Sequence, residues 1–504
     1  MQKILFGVTV ITLMARLLSL VSNQVFMIFF GPQDIFLNIY TYALNVPNIM
    51  FNFVGTVISA VVVPIYSGLL VKDKKKSQDF IKNAITIVCI ISLTLIGVGF
   101  FISPLIARLT AFYIDYHYFL IYTLRIMMIA MFFYGLNYIF QGILQSHNNF
   151  LLPAFVAVPT SIVVIGYVFF FGDMFGVRGL VYATVFGLSL QAAVLFPGVR
   201  KLSIGYRPSL NFNNPDIKQA IKLSVPVLLS VISFQINTFF NATIATRFSV
   251  VPIMMFVQNL MLVSILSIIY SIMGVYLPKL TALWEQKKEQ EYKVMLEDII
   301  LIAMFFLVPA GFGLFMLARP IINLISGWGN FNSYDVSLAA GMLSLYATGI
   351  VSIGIKEVMD RAFYSKKDSK IPGFIGIIIM IFNIGISLII LNNANEYTMP
   401  IGFAISTTIG TLVLVIIMNK TTKILNKRVI INIIKFLLSA IAMTIAIYFS
   451  LIWFGDINFF MVEVINRAIE LLVPLGVGII VYFVCIFIFK VEQVDQIVKT
   501  FLKR

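Results

Sequence analysis

The chain has 504 residues, 60% hydrophobic and 11% charged, against roughly 45–50% and 25% in soluble domains. That apolar excess excludes a soluble globular protein and defines an all-α polytopic membrane protein. The net charge of +15 raises nucleic acid as a partner, but the 36 basic residues are scattered over short loops, so none is expected.

The first span runs from Ile4 to Phe30, 27 residues with a single charge, Arg16, near its middle. It exceeds the ~20 residues a helix needs to cross hydrocarbon. It is too long for a signal-peptide core and lacks a small-residue cleavage site, so it should remain as helix one. A guanidinium at that depth costs about 2.5–3.5 kcal/mol unless it meets water or a partner. The second span, 36–70, is interrupted at Pro47 and carries Asn38, Asn45, Asn48 and Asn52. A polar, bent helix beside a buried cation reads as the wall of a hydrated cavity. The alternative is that Arg16 snorkels or bonds backbone carbonyls in a packed bundle.

Further spans follow at 80–103, 118–145, 150–172, 178–198, 218–247, 252–283, 294–317, 335–365, 371–391, 398–418, 429–454 and 466–489, fourteen in all. With the N-terminus inside, 28 of the 36 Lys and Arg fall on the inner face, five on the outer and three within spans. This positive-inside bias makes both termini cytoplasmic in a plasma membrane. No loop is long enough for a soluble catalytic domain. The longest, near Lys201–Asp216, is polar, holds two prolines and reads as a linker between halves.

The halves repeat. Pro64 and Pro104 stand 40 residues apart, and Pro278 and Pro320 stand 42 apart. QGILQSHNNFLLPA (141–154) matches DRAFYSKKDSKIPG (360–373), and GLVYATVFG (179–187) matches GFAISTTIG (402–410). The offsets are 214, 216, 219 and 223, a monotonic drift. Six helices per copy is even, so the copies run in the same direction, as in transporters with a substrate site between parallel repeats. The expected organisation is an N-terminal six-helix lobe at 1–200, a linker at 201–217, a second six-helix lobe at 218–420, and two added C-terminal helices within 421–504.

No catalytic set emerges, so the chain is not expected to be an enzyme. His117 and His147 fall in different loops on opposite faces, and Cys89 and Cys485 lie in separate apolar runs, so no metal and no cofactor is expected. There is no phosphate loop for ATP. Arg125 is a second intramembrane cation. Lys356, Glu357, Asp360 and Arg361 form two i,i+4 pairs of opposite sign. They read either as a cytoplasmic gate or as an ion-pair network fixing the helix at the interface. In helix seven, Gln235, Asn237 and Asn241 either line a cavity or bond between helices. Pro47, Pro159, Pro226 and Gly354 mark candidate hinges, and GWGNF (327–331) a structural outer turn.

Certain stretches resemble one family: ARLLSL (15–20), FFG (29–31), NVPN (45–48), VVPIYS (62–67), SFQINT (233–238), DRAFYSKKDSKIP (360–372) and PIGFAISTTIG (400–410). They are similar to the lipid II flippases called MurJ or MviN, of the MOP exporter superfamily. The resemblance implies an alternating-access flippase for undecaprenyl-pyrophosphate-linked disaccharide-pentapeptide in the bacterial plasma membrane, with helices 13–14 forming a groove for the lipid tail. It implies that Arg16 stands at the family's helix-one arginine. Ser22, Asn23, Asn38, Asn45, Asn241, Ala242 and Ser387 stand where the family often carries charges. The expected substrate-binding set is Arg16, Asn23, Asn38, Asn45, Asn237 and Asn241, with a fixed guanidinium suited to a pyrophosphate. Expected partners are the lipid-linked pyrophosphate and membrane lipids. Two alternatives stand: a flippase of another lipid-linked oligosaccharide, and a non-transporting scaffold whose partners would be cell-wall synthesis proteins.

Overall fold

The computed structural model describes residues 2–110, 115–390, 395–454 and 462–491, and side chains there apart from 2–10, 13, 225–227, 229–230, 263–267, 271 and 390. The side chain of Pro226, and Lys499, Lys503 and Arg504 of the charge pattern, lie outside them. The described residues form helices and turns without strands. They divide into two compact units, 1–252 with 329–331, and 253–328 with 332–504.

In the first unit, α1 (Gln2–Phe30) ends at Gly31 and Pro32, where Gly31 takes a φ of +88°. Asp34 caps α2 (Ile35–Val57) by accepting the Leu37 N–H at 2.8 Å. Pro47 inside α2 removes one N–H and frees the carbonyl of Ala43. A π turn, Ile58–Val62, follows, then α3 (Val63–Lys72) and α4 (Lys74–Leu109). Next come α5 (His117–Met128), α6 (Ala130–Ser146), the short α7 (Leu151–Ala154), α8 (Val158–Lys201) and α9 (Pro215–Ala245). The α9 helix packs on α2, where the Tyr42 and Thr243 hydroxyls are 3.2 Å apart.

The second unit holds most of α10 (Val251–Glu285), then α11 (Glu289–Ser326), α12 (Ser333–Thr348) and α13 (Ile350–Ser365). It ends with α14 (Lys370–Ile390), α15 (Thr398–Thr422), α16 (Lys427–Phe454) and α17 (Glu463–Ile488). Phe305 on α11 gathers α16 and α17 through Phe436 and Tyr482, and the Tyr482 hydroxyl donates to the Phe305 carbonyl at 3.0 Å. The GWG turn is held to α17 by Arg467, whose guanidinium lies 3.9 Å from the Trp328 ring centroid and donates to the carbonyl of Asn323 at 2.9 Å.

Among the described residues nine helical stretches are long and apolar enough to cross a membrane, or ten if α12 and α13, bent by 44° at their junction, count as one. Large side chains such as Phe169, Phe170 and Ile389 are exposed, as lipid-facing positions require. One of the nine, Leu151–Lys201, folds back on itself. Gly176 has φ 55° and ψ −151°, a conformation essentially reserved for glycine. Gln191 then donates to the Thr160 hydroxyl at 2.8 Å across 31 residues, a separation of about 46 Å in an unbroken helix. Gly187 lets the two arms meet, since a Cβ there would lie 2.8 Å from the Thr160 Cα. Association in lipid rests on such close packing rather than on exclusion of water.

The linker is fastened to the first unit. Asn83 on α4 donates to the carbonyl of Asn211 at 2.7 Å and accepts its N–H at 3.2 Å. Thr86 accepts the N–H of Ser209 at 3.1 Å and meets the Tyr206 hydroxyl at 3.2 Å. Asn83→Leu removes two hydrogen bonds, about 1–3 kcal/mol of local stability. Chymotryptic cleavage after exposed Tyr206 will accelerate about fivefold or more, read by the rate of chain scission on a gel.

Candidate functional site

Two polar regions stand out, one in each unit. In the first unit Asn38, Thr41, Asn45, Asn48 and Asn52 recur at helical spacing along one face of α2. Asn38 and Thr41 are buried, Asn45 and Asn52 half-buried, and Asn48 exposed. Asn38 is committed to the fold. Its amide donates to the carbonyls of Pro32 at 3.0 Å and Asp34 at 2.9 Å, and its oxygen accepts the N–H of Val251 at 3.0 Å. Asn45 donates to the Thr41 carbonyl one turn back at 2.9 Å.

Arg16 is exposed on α1, between exposed Met14 and Leu17. No hydrogen bond, ion pair or aromatic ring engages its guanidinium among the described residues. Asn23, two turns further along, is half-buried. On α9, Ser233, Asn237 and Asn241 follow one another at i,i+4 spacing and are all buried. The Asn237 and Asn241 side-chain oxygens and the Ser233 and Thr41 hydroxyls have no hydrogen-bond partner among the described residues. A buried polar atom left unpaired costs about 1–3 kcal/mol, so each is a point where water or a ligand donor is stabilising. Arg16 on α1 is thus an unpaired cation among the described residues, and the hydrogen-bonding groups of α2 and α9 carry no charge.

The second intramembrane cation behaves differently. Arg125 lies 4.7 Å from the Phe100 ring centroid and donates to the Ser103 hydroxyl at 3.3 Å, so it is held between α4 and α5.

In the second unit, Lys356 donates to Asp360 at 2.6 Å, and Arg361 approaches Glu357 at 3.9 Å. The guanidinium of Arg361 also sits 4.5 Å from the Tyr270 ring centroid. Asp360 is buried, and its Oδ1 has no partner among the described residues. All four charges therefore lie on α13, and α10 supplies an aromatic lid to one of them. The α13 helix is bonded to α15 through Ser352, whose hydroxyl meets that of Thr408 at 2.8 Å and whose carbonyl accepts from Thr411 at 2.9 Å.

The histidines lie apart. His147 Nε2 is hydrogen-bonded to the Tyr66 hydroxyl at 3.0 Å, and burial, with Lys74 nearby, pulls its pKa below the ordinary 6.5. Its folded pKa is depressed, so its contribution to stability is complete above the unfolded value and is lost as pH falls through the folded one. His147→Gln keeps a partner for Tyr66 without a proton to gain. The variant's melting temperature should fall less than that of the parent between about pH 7.5 and pH 5. Among the described residues no three His, Cys, Asp or Glu side chains gather as metal ligands would.

Pattern reading missed Thr41, Ser233 and Tyr270. The first two were available, since they stand at i+3 from Asn38 and i−4 from Asn237. The third was not, because Tyr270 and Arg361 are 91 residues apart and meet only in the folded unit.

These features define a multi-pass, all-helical membrane protein, and its fold is shared by solved transporter structures of the MOP superfamily. A structure described as lipid II flippase MurJ in an inward closed conformation superposes with a TM-score of 0.79 at 21% identity, covering 97% of this chain and 100% of that one. An inward-facing multidrug resistance MATE family transporter of the MOP superfamily gives 0.68 at 14% identity, covering 81% and 94%. The family model for lipid II flippase MurJ matches residues 28–466, and the chain belongs to that family. The probable lipid II flippase of Rickettsia prowazekii (strain Madrid E) is 24% identical over 409 residues, 79% of each chain. That of Buchnera aphidicola subsp. Acyrthosiphon pisum is 24% identical over 387, covering 73% of this chain and 74% of its own.

Proposed function

We propose that this chain is an alternating-access flippase that moves lipid II, the undecaprenyl-pyrophosphate-linked peptidoglycan precursor, from the inner to the outer leaflet of a bacterial plasma membrane. Family membership across residues 28–466 is the observation that carries this reading. The chemistry of the first unit supports it. A pyrophosphate brings two phosphates' worth of negative charge, and the exposed Arg16 offers it a bidentate, charge-assisted contact. Asn23, Asn45, Asn237 and Asn241 add hydrogen-bonding groups for phosphate and sugar oxygens, and Asn38 positions the start of α2. Lys356, Glu357, Asp360 and Arg361 act as a cytoplasmic gate. Fourteen crossings in two like-oriented six-helix repeats plus two helices, with both termini cytoplasmic, complete the proposal.

One observation favours a second cargo. The polar groups on α2 and α9 are amides and hydroxyls rather than charges, which suits another lipid-linked oligosaccharide equally well. Expression in bacteria depleted of their own lipid II flippase tests the main reading. Restored growth supports it; no growth from a chain that is inserted and stable contradicts it.

A further inference from the structure

The first unit contains a cavity of about 250 Å³ walled by α2 and its π turn, α4 and α9. We propose that this cavity holds one acyl chain of an anionic phospholipid, with the headgroup on the lysines at the same end of the unit. The site differs from the Arg16 face and does not depend on the flippase reading.

The wall is hydrocarbon: Val57 and Ile58 from α2 and the π turn, Phe80 and Ile87 from α4, Ile221 and Leu228 from α9. Its single polar side chain among the described residues, Ser224, already donates to the Ala220 carbonyl at 2.7 Å. Water in such a space needs two to four polar partners and finds none, whereas a smaller apolar cavity of about 150 Å³ readily takes benzene. The lining runs from residue 80 to 91 on α4 and from 217 to 228 on α9. Eleven residues of rise make about 16 Å, close to half of a ~30 Å hydrocarbon core and so the depth of one leaflet. Ile91 and Ile221 are 37% and 49% exposed, so the wall reaches the surface from which a lipid enters. The π turn gives the wall its shape, because an extra residue in the turn displaces Ile58 and Val62 from the regular α2 spiral.

Charge at the end of the cavity selects the headgroup. Lys76 stands one helical turn before Phe80 on the lining face of α4, and Lys218 and Lys222 directly follow the lining residues Ile217 and Ile221. All three lysines are exposed and make no ion pair among the described residues. With Lys72, Lys74, Lys75 and Lys82 they make seven lysines against three aspartates, Asp73, Asp79 and Asp216. Lysines so placed attract anionic lipid headgroups.

The test uses the full-length chain in liposomes containing phosphatidylglycerol with a diazirine at mid-chain, followed by light and peptide mapping. Labelling should concentrate on peptides 54–62, 80–91 and 217–228. Ala220→Phe, which fills the cavity, should lower it about tenfold there while the label on lipid-facing Leu438 of α16 stays constant. A phosphatidylcholine probe should label the lining about 25-fold less, and charge reversal of Lys76 and Lys222 should erase that difference, each lysine contributing about fivefold. Label confined to outward-facing residues overturns the proposal, as does a folded Ala220→Phe protein labelled like the parent. Equal labelling by the two phospholipids, or preferred labelling by a diazirine polyprenyl phosphate, overturns it as well. If Ala220→Phe fails to fold, the comparison of the two phospholipids on the parent chain still decides.

Discussion

Arg16→Ala in the full-length chain will abolish rescue of flippase-depleted cells and leave the melting temperature of the purified protein unchanged. The reasoning starts from the lack of any internal partner. A guanidinium midway along a membrane-spanning helix costs about 2.5–3.5 kcal/mol unless something meets it. Among the described residues nothing in the fold does, because Arg16 is exposed and unpaired whereas Arg125 is stacked and bonded. Removing it therefore costs the fold little. It costs the ligand one or two charge-assisted hydrogen bonds, each worth about 1.5–3 kcal/mol, or at least tenfold in affinity for a pyrophosphate. Arg16→Lys keeps the charge but loses the fork, and should retain a fraction of the activity. Growth assays with parallel melting curves separate the outcomes. A fall in melting temperature that tracks lost growth would make Arg16 a packing residue.

Asp360→Ala will destabilise the protein by about 2–4 kcal/mol, and Lys356→Met combined with Asp360→Leu will restore most of that loss. The single change leaves the Lys356 ammonium without its 2.6 Å partner, while Asp360 itself is only 7% exposed. Lys356 keeps 20% exposure of its side chain, which sets the cost below that of a fully buried orphan charge. The double change removes both charges together and leaves none to solvate. Denaturation of the parent, Lys356→Met, Asp360→Leu and the double variant in one detergent gives the coupling energy directly. The same set separates gate from anchor. A gate predicts that the stable double variant no longer supports growth, because the pair must break and re-form during transport. An anchor predicts normal growth.

Hydropathy carried the helices because a bilayer leaves few alternatives to them. The separate spans 150–172 and 178–198 correspond to the two arms of α8, and the break falls at a glycine whose conformation few other residues adopt. The i,i+4 charges on α13 pair as their spacing requires, since a helix fixes such neighbours locally. Long-range facts were illegible. Asn38 looked like a cavity amide, yet its oxygen holds the N–H of Val251, 213 residues away. The clamp of Asn83 on Asn211 spans 128 residues. The π turn at Ile58–Val62 lies in a run of small and β-branched residues without a local signal to distinguish it from α-helix. The lipid cavity beside it depends on three segments that meet only in the folded unit.

Reconstitution bears most directly on the claim that this chain carries a lipid-linked pyrophosphate across a bilayer. Purified full-length protein in liposomes, loaded with lipid II bearing a fluorophore on its peptide, is exposed to a membrane-impermeant quencher. The account predicts that the fraction quenched rises from the outer-leaflet share towards all of the label within the assay, and that Arg16→Ala holds it at the outer-leaflet share. Folded wild-type protein that leaves the inner-leaflet label protected would contradict it.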